Sequence, residues 1–388
     1  MNIPKLRFKD NNGNDYPQWE KKLIKDILKI YHGKDYKNEP NEKKLYPVLG
    51  TGGIITYIDK FLCDWECVLI GRKGTINKPQ YMKTPFWSVD TLFYSKPKLK
   101  QNPNFQYYLF QNINWKIYDE STGVPSLSAS TIEHINRFIP TYAEQEKIAS
   151  FFSTIDKKIE NLTNTITSLE NQKKGLLQQI FSQKLRFKDE NGNNYPNWEK
   201  KKLGKLLSIT SSKRVHEADW TTSGIPFYRA RDIVSIFNNK PISKIYISEK
   251  LYEECSSSCG KISENDLLVT GVGTIGIPYL VKKSDKFYFK DGNIIWLKNS
   301  PAIYGKYLFY IFISSYVQKQ INMMTGKGTV GTYTIKNAKD TNILLPCLEE
   351  QTKIADFLSE FDRKLDNQKA QLEHWQQIKK GLLQQMFV

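Results

Sequence analysis

At 388 residues the chain is long enough for two or more domains, each with a core of its own. Lysine and arginine number 57 against 40 acidic residues; the formal charge of +17 favours a polyanionic partner, and the 22 Tyr, 20 Phe and 8 Trp exclude a disordered basic tail. The longest apolar run, residues 307–317, is too short for a bilayer and is broken by Ser314 and Ser315, so no membrane span is expected. The opening MNIPKLRFKD lacks the apolar core of a signal peptide. Five scattered cysteines (Cys63, Cys67, Cys255, Cys259, Cys347) suit a reducing cytoplasm. Their two Cys-x3-Cys pairs are not the tight spacing of a zinc knuckle, and they read as buried or incidental thiols.

From the N-terminus, residues 5–22 read KLRFKDNNGNDYPQWEKK, and residues 184–201 repeat them as KLRFKDENGNNYPNWEKK. Only Asn11, Asp15 and Gln18 differ from their partners. A second pair begins PTYAEQEKIASFFSTIDKKI at Pro140 and PCLEEQTKIADFLSEFDRKL at Pro346, and each copy then reaches KKGLLQQ, at residues 173–179 and 379–385. The chain is therefore a tandem duplication. Its expected parts are a variable domain over 1–142 (repeat segment 5–22), a long helix over 143–183, a second variable domain over 184–345 (repeat segment 184–201) and a second long helix over 346–388. The second unit is longer, with most of its extra residues between Ile233 and Lys261. Uniform drift does not leave flanks nearly identical while the interiors diverge; a held frame around a varied surface does.

Within the first variable domain, residues 67–70 read as a short buried strand ending in the glycine loop GRKGT, residues 107–110 as a buried helix segment, and Ser128 as a helix start. The second domain repeats this order: residues 266–269 as a strand followed by TGVGT, residues 307–310 as a helix segment, and a start at Thr334. Glycines let backbone approach a nucleic acid closely, and Arg, Lys, Ser and Thr can meet phosphates or base edges. The candidate contacts are Arg72, Lys73, Gly74, Thr75 and Lys78, with Ser121 and Thr122, in the first domain. In the second they are Arg229 and Arg231 of FYRARDI, Thr270, Gly271, Thr274, Lys327 and Thr329. Each arginine remains open between a phosphate and a base contact.

The long helices show heptad spacing. Ile148, Phe152, Ile155, Ile159, Leu162, Ile166, Leu169, Leu176 and Ile180 form one seam, and Ile354, Leu358, Phe361, Leu365, Leu372, Trp375, Leu382 and Met386 the other. Lys173 and Lys379 occupy equivalent seam positions, where polar residues tend to fix register. About 38 helical residues span roughly 57 Å. Because the second variable domain both starts and ends between the helices, a compact domain makes the pair antiparallel, with a variable domain at each end.

Two apparent enzyme motifs fail on context. Gly271-Val-Gly-Thr-Ile-Gly276 has the GxGxxG spacing, but Pro278 and a strand-like segment follow where a helix should open. Asn102-Pro-Asn-Phe105 lacks the second proline of an amino-methyltransferase motif. With no P-loop, HExxH or hydrolytic triad in the sequence, no catalytic, cofactor or metal residue is expected.

The EQxKIAxF helices with their copies, the LRFKDxNGNxYPxWEKK segments and the closing KKGLLQQ resemble the specificity subunits of bacterial type I restriction–modification systems, and the likeness covers essentially the whole chain. The resemblance implies an α+β fold: two mixed α/β target-recognition domains in pseudo-twofold arrangement, joined by two antiparallel coiled-coil helices. It implies a non-catalytic, cytoplasmic phage-defence subunit that reads a gapped bipartite site in double-stranded DNA. It further implies docking of two modification subunits, which methylate adenine with S-adenosylmethionine, and of two restriction–translocation subunits using ATP and Mg. The seam residues Ile148, Phe152, Ile155, Ile159, Leu162, Ile354, Leu358, Phe361 and Leu365 would hold the spacer and its docking surface. The competing expectations are a stand-alone regulator reading two half-sites, or a single-chain nuclease or methyltransferase.

Overall fold

The two near-identical repeat segments fold in the same way because each closes on its own acidic partner. The computed structural model describes residues 4–325 and 331–387. The chain divides into two units, residues 1–164 with 369–388, and residues 165–368. The divisions fall inside the long helices, Tyr142–Phe181 and Leu348–Met386. Each unit thus holds one variable domain, the N-terminal part of one long helix and the C-terminal part of the other.

In the first unit, Glu20–Leu23 pairs antiparallel with Asn136–Ile139. A four-stranded sheet runs in the order Leu28–Tyr31, Leu92–Pro97, Cys67–Gly71, Gln80–Met82. A smaller sheet joins Gly53–Ile58, Tyr46–Gly50 and Trp87–Ser88, the last pair parallel. The second unit repeats this plan. Glu199–Lys202 pairs with Asn342–Leu345, and the sheet order is Ile209–Thr210, Ile294–Leu297, Leu267–Thr270, Pro278–Leu280. Its smaller sheet again has a parallel pair, Ile225–Tyr228 with Tyr288–Phe289. The extra residues after Ile233 form the end of the helix Ala230–Phe237, the strand Tyr246–Ile247 and the helix Glu249–Cys259.

The predicted strands and helices appear where their apolar runs place them. Residues 67–71 and 267–270 are buried along their length. The segments at 107 and 307 lie in the helices Pro103–Gln111 and Gly305–Ile313. Ser128 and Thr334 are N-caps, accepting from Thr131 N at 3.0 Å and Asn337 N at 3.2 Å.

The helical seam does two jobs. Ile148, Phe152 and Ile155 join the core of the first variable domain together with Leu383, Met386 and Phe387. Ile354 and Leu358 join that of the second with Ile180 and Phe181. In each unit, then, a helix start packs beside a helix end, which is the antiparallel arrangement. Leu162, Ile166 and Leu365 are buried, while Ile159 and Phe361 are half-buried.

Both seam lysines are paired. Lys379 Nζ lies 2.6 Å from Asp156 Oδ1 in the first unit, and Lys173 meets Asp362 in the second. A tyrosine from each variable domain completes the cluster: Tyr108 donates to Asp156 at 2.8 Å, Tyr310 to Asp362 at 2.7 Å. Each lysine also sits over its tyrosine ring, at 5.3 and 5.5 Å. Burial pushes both phenols above their ordinary range. One cluster therefore ties three chain segments: both long helices and the variable domain.

The repeated flanks form a second network. Arg7 forks onto Glu144, Nε to Oε1 at 3.0 Å and Nη2 to Oε2 at 2.7 Å, and Trp19 Nε1 donates to the same carboxylate at 3.1 Å. Arg186, Glu350 and Trp198 repeat it at 2.8, 2.9 and 2.8 Å. The neighbouring glutamines hold the loop ahead of a domain helix: Asn102 N donates to Gln145 Oε1 and Tyr304 N to Gln351 Oε1. Lys147 and Lys353 reach back to the carbonyls of Lys9 and Lys188, each at 2.7 Å. Every polar position of EQxK shared by the two copies thus has a partner in the repeated segments or the adjoining loop, a physical reason for the two copies to stay alike.

Candidate nucleic-acid interface

In the first unit the strand Cys67–Gly71 delivers the loop 71–75 to a second loop, 119–126. Gly74 N donates to Pro125 O at 2.8 Å, Leu127 N to Arg72 O at 2.9 Å, and Lys73 bridges Ser126. Gly74 has φ of 88°, a left-handed conformation that favours glycine. Asp119 folds the second loop by accepting from Ser121 and Ser126, bonds that hold its carboxyl below the usual range. The two loops expose Arg72, Lys73 and Thr122, with Lys78 exposed just beyond; Gly74, Thr75 and Ser121 are half-buried. Arg72 Nη1 reaches Asp90 O at 3.2 Å.

The second unit closes the same loop with different atoms. Tyr333 N donates to Gly271 O at 2.8 Å, as Leu127 does to Arg72, and Gly273 has φ of 68°, as Gly74 has 88°. Thr270 stands where the first unit has Gly71. A Cβ on Gly71 would come within 2.2 Å of Thr75 O, whereas the Thr270 hydroxyl donates to Thr274 O at 2.6 Å and accepts from Ile277 N at 3.0 Å.

Three of the expected contacts have structural partners or lie buried. Thr270 is fully buried and Gly271 is buried, so both build the frame of the loop. Arg229 forks onto Asp232 at 2.8 and 3.1 Å and sits 5.7 Å from the Trp220 ring, so its guanidinium is already occupied. Lys327 and Thr329 lie outside the described residues. Arg231 and Thr274 are exposed and line one cleft of about 740 Å3, together with Arg229, Trp220, Gly273, Lys290 and Asn293. The fold thus brings FYRARDI and TGVGT together, which their sequence separation did not reveal. Lys290 and Trp220 were missed because neither lies in a glycine loop or a basic cluster.

The 271–276 loop leads into the strand Pro278–Leu280, paired with Leu267–Thr270, so no helix N-terminus follows its glycines. Among the described residues, no three His, Cys, Asp or Glu side chains gather as a metal site, and no helix is long and apolar enough to cross a membrane.

A family model described as "Type I restriction modification DNA specificity domain" matches residues 16–171 and 195–374. The type I restriction enzyme MjaVIII specificity subunit of Methanocaldococcus jannaschii is 24% identical over 422 residues, covering 97% of this chain and 94% of its own. The crystal structure of a type I restriction–modification S subunit from M. genitalium superimposes with a TM-score of 0.65 at 18% identity, over 100% of this chain and 99% of that one. A chain solved in a study of complex assembly and conformational transition of the type I R-M system gives 0.56 at 13% identity, over 95% and 97%.

Proposed function

This chain belongs to the type I restriction modification DNA specificity family, and on that premise we propose that its two variable domains each read one half of a gapped bipartite site in double-stranded DNA. The observation that carries the proposal is the pair of equivalent glycine loops, held by matching backbone bonds in the two units yet presenting different surfaces: exposed Arg72 and Lys73 in one, where the other has the buried Gly271 and the half-buried Val272. A shared frame with unlike surfaces is what reading two unlike half-sites requires. The long helices serve as the spacer and, with the repeat segments, dock two methyltransferase and two restriction–translocation subunits. S-adenosylmethionine, ATP and Mg belong to those partners, and the chain itself performs no chemistry. A bacterial cytoplasm is the compartment in which such a subunit meets its DNA.

Exchanging residues 38–136 for the same span of a relative tests the modular reading. Methylation-aware sequencing of DNA modified by the reconstituted complex is expected to show one half of the motif changed and the other kept. A change in both halves, or in neither, overturns it. The purified chain alone is expected neither to methylate nor to cleave DNA; turnover by the isolated chain contradicts the non-catalytic role. Stoichiometric co-purification with a methyltransferase separates this reading from a stand-alone regulator.

A smaller effect is expected at Lys73. Lys73→Ala weakens binding across all sequences and flattens the dependence of log K on log salt by about one unit, as loss of one phosphate contact should. Fluorescence anisotropy across a salt series measures it, and an unchanged slope removes Lys73 from the phosphate contacts.

A further inference from the structure

The two variable domains share a parallel strand pair but leave it differently. In the second, Ile225–Tyr228 runs into the helix Ala230–Phe237, which carries the exposed Arg231 to the cleft. In the first, the matching strand Tyr46–Gly50 turns through Thr51 and Gly52 into Gly53–Ile58. At that hairpin tip Ile54 is 57% and Ile55 53% exposed. Two adjacent isoleucines left in water at a loop end forgo burial that the core would supply.

The tip sits beside the basic loop. Gln80 donates to Gly50 O at 2.8 Å, and a Cβ placed on Gly74 would lie 3.9 Å from Thr51 Oγ1. The Ile55 δ-methyl lies over Gly50, where an added Cβ would come within 2.8 Å of it, so the side chain rests on the hairpin. A β-bulge between Val48 and Leu49 shifts the register at this point. The hairpin that carries the two isoleucines therefore meets, at Thr51, the loop that carries Arg72 and Lys73, whose charge suits a phosphate backbone.

Phosphate contacts position a protein on DNA, and base edges specify the sequence. The one apolar group that the standard bases present in the major groove is the C5-methyl of thymine. We propose that Ile54 and Ile55 read a thymine methyl in the half-site of the first domain, a specificity that the second domain, with Arg231 and Lys290 at its cleft, does not share. The inference rests on the proposed DNA-reading function and deepens it.

The test uses the full chain in complex with its methyltransferase subunits, on a duplex carrying its own motif, the first half being assigned by the 38–136 exchange. Thymines of that half, on either strand, are replaced singly by deoxyuridine, which lacks only the methyl. At one or more positions methylation kcat/KM is expected to fall about fourfold, the effect of losing one buried methyl. The I54S/I55S chain should show no thymine–deoxyuridine difference there, and I54V/I55V, which keeps the apolar surface, should retain it. Indifference of the wild-type complex to every deoxyuridine, or wild-type discrimination by I54S/I55S, overturns the inference. So does loss of the methyltransferase subunits from a folded I54S/I55S chain, which would make the tip a protein-docking surface. Absence of any bipartite motif overturns the DNA-reading function itself; a motif whose first half ignores the thymine methyl overturns this inference alone.

Discussion

Glu144→Ala is expected to lower the stability of the first unit by about 3–5 kcal/mol, because it strands a cation whose carboxylate partner is buried. The Glu144 side chain is fully buried and that of Arg7 only 19% exposed, so water does little to screen the pair or replace the lost partner. Three hydrogen bonds to the carboxylate are lost at once, from Arg7 Nε, Arg7 Nη2 and Trp19 Nε1, and only Nη2 keeps other acceptors, the carbonyls of Tyr16 and Pro17. For a unit of this size the melting midpoint should fall on the order of 10 °C. Glu350→Ala should do the same in the second unit, where Arg186 and Trp198 hold the matching contacts. Arg7→Lys is not a mild alternative, since an ammonium cannot fork onto the carboxylate while also serving the carbonyls of Tyr16 and Pro17. Scanning calorimetry of the single and paired variants decides the matter. A shift below about 2 °C for Glu144→Ala would remove this network from the supports of the fold.

The Lys–Asp–Tyr clusters lead to an expectation whose sign depends on how many members are replaced. Lys379→Met leaves Asp156 without its cation, and a loss of about 1–3 kcal/mol is expected. The effect is smaller than at Glu144 because the Asp156 side chain is one-third exposed. Replacing Lys379, Asp156 and Tyr108 together by Met, Leu and Phe removes every stranded polar group, and stability should return to the wild-type value or exceed it. What the apolar cluster loses is the requirement that one helix meet the other at a single register. Urea unfolding of the single and triple variants measures the first part. The second is checked by engineered cysteine pairs across the helices, which should crosslink at several registers when Lys173, Asp362 and Tyr310 are replaced in the same way as well, and at one in the wild type. A triple variant less stable than Lys379→Met would show that the cluster stabilises the fold instead of specifying its register.

Much of this architecture was legible because it is repeated. The heptad seam, the buried strands expected at 67–70 and 266–269 and found at 67–71 and 267–270, the caps at Ser128 and Thr334 and the antiparallel helix pair all follow from local period, turn chemistry and connectivity. The seam lysines were recognisable as register markers, but their partners were not. Nothing in residues 173 and 362, or 379 and 156, announces that they meet. The candidate interface was read less well for the same reason. A threonine after a strand looks alike in sequence whether its hydroxyl faces solvent or, as at Thr270, closes its own loop. Arg229 looked as available as Arg231 until Asp232 took its guanidinium.

Sequence by itself determined that the molecule is duplicated, that its flanks are held while its interiors vary, and that a long amphipathic helix follows each variable region along the chain. Those properties are carried by identity and period, which need no knowledge of what lies across space. Tertiary structure decided which polar groups are already paired: Glu144 and Glu350 with the repeat arginines, the seam lysines with aspartate and tyrosine, Arg229 with Asp232. It also brought Thr51, at the turn of the hairpin that carries Ile54 and Ile55, to Gly74 of the basic loop and gathered Arg231, Lys290 and Thr274 around one cleft. The physical reason is that a side chain's availability depends on partners brought within about 3 Å by long-range folding, and no local pattern of residues encodes those partners.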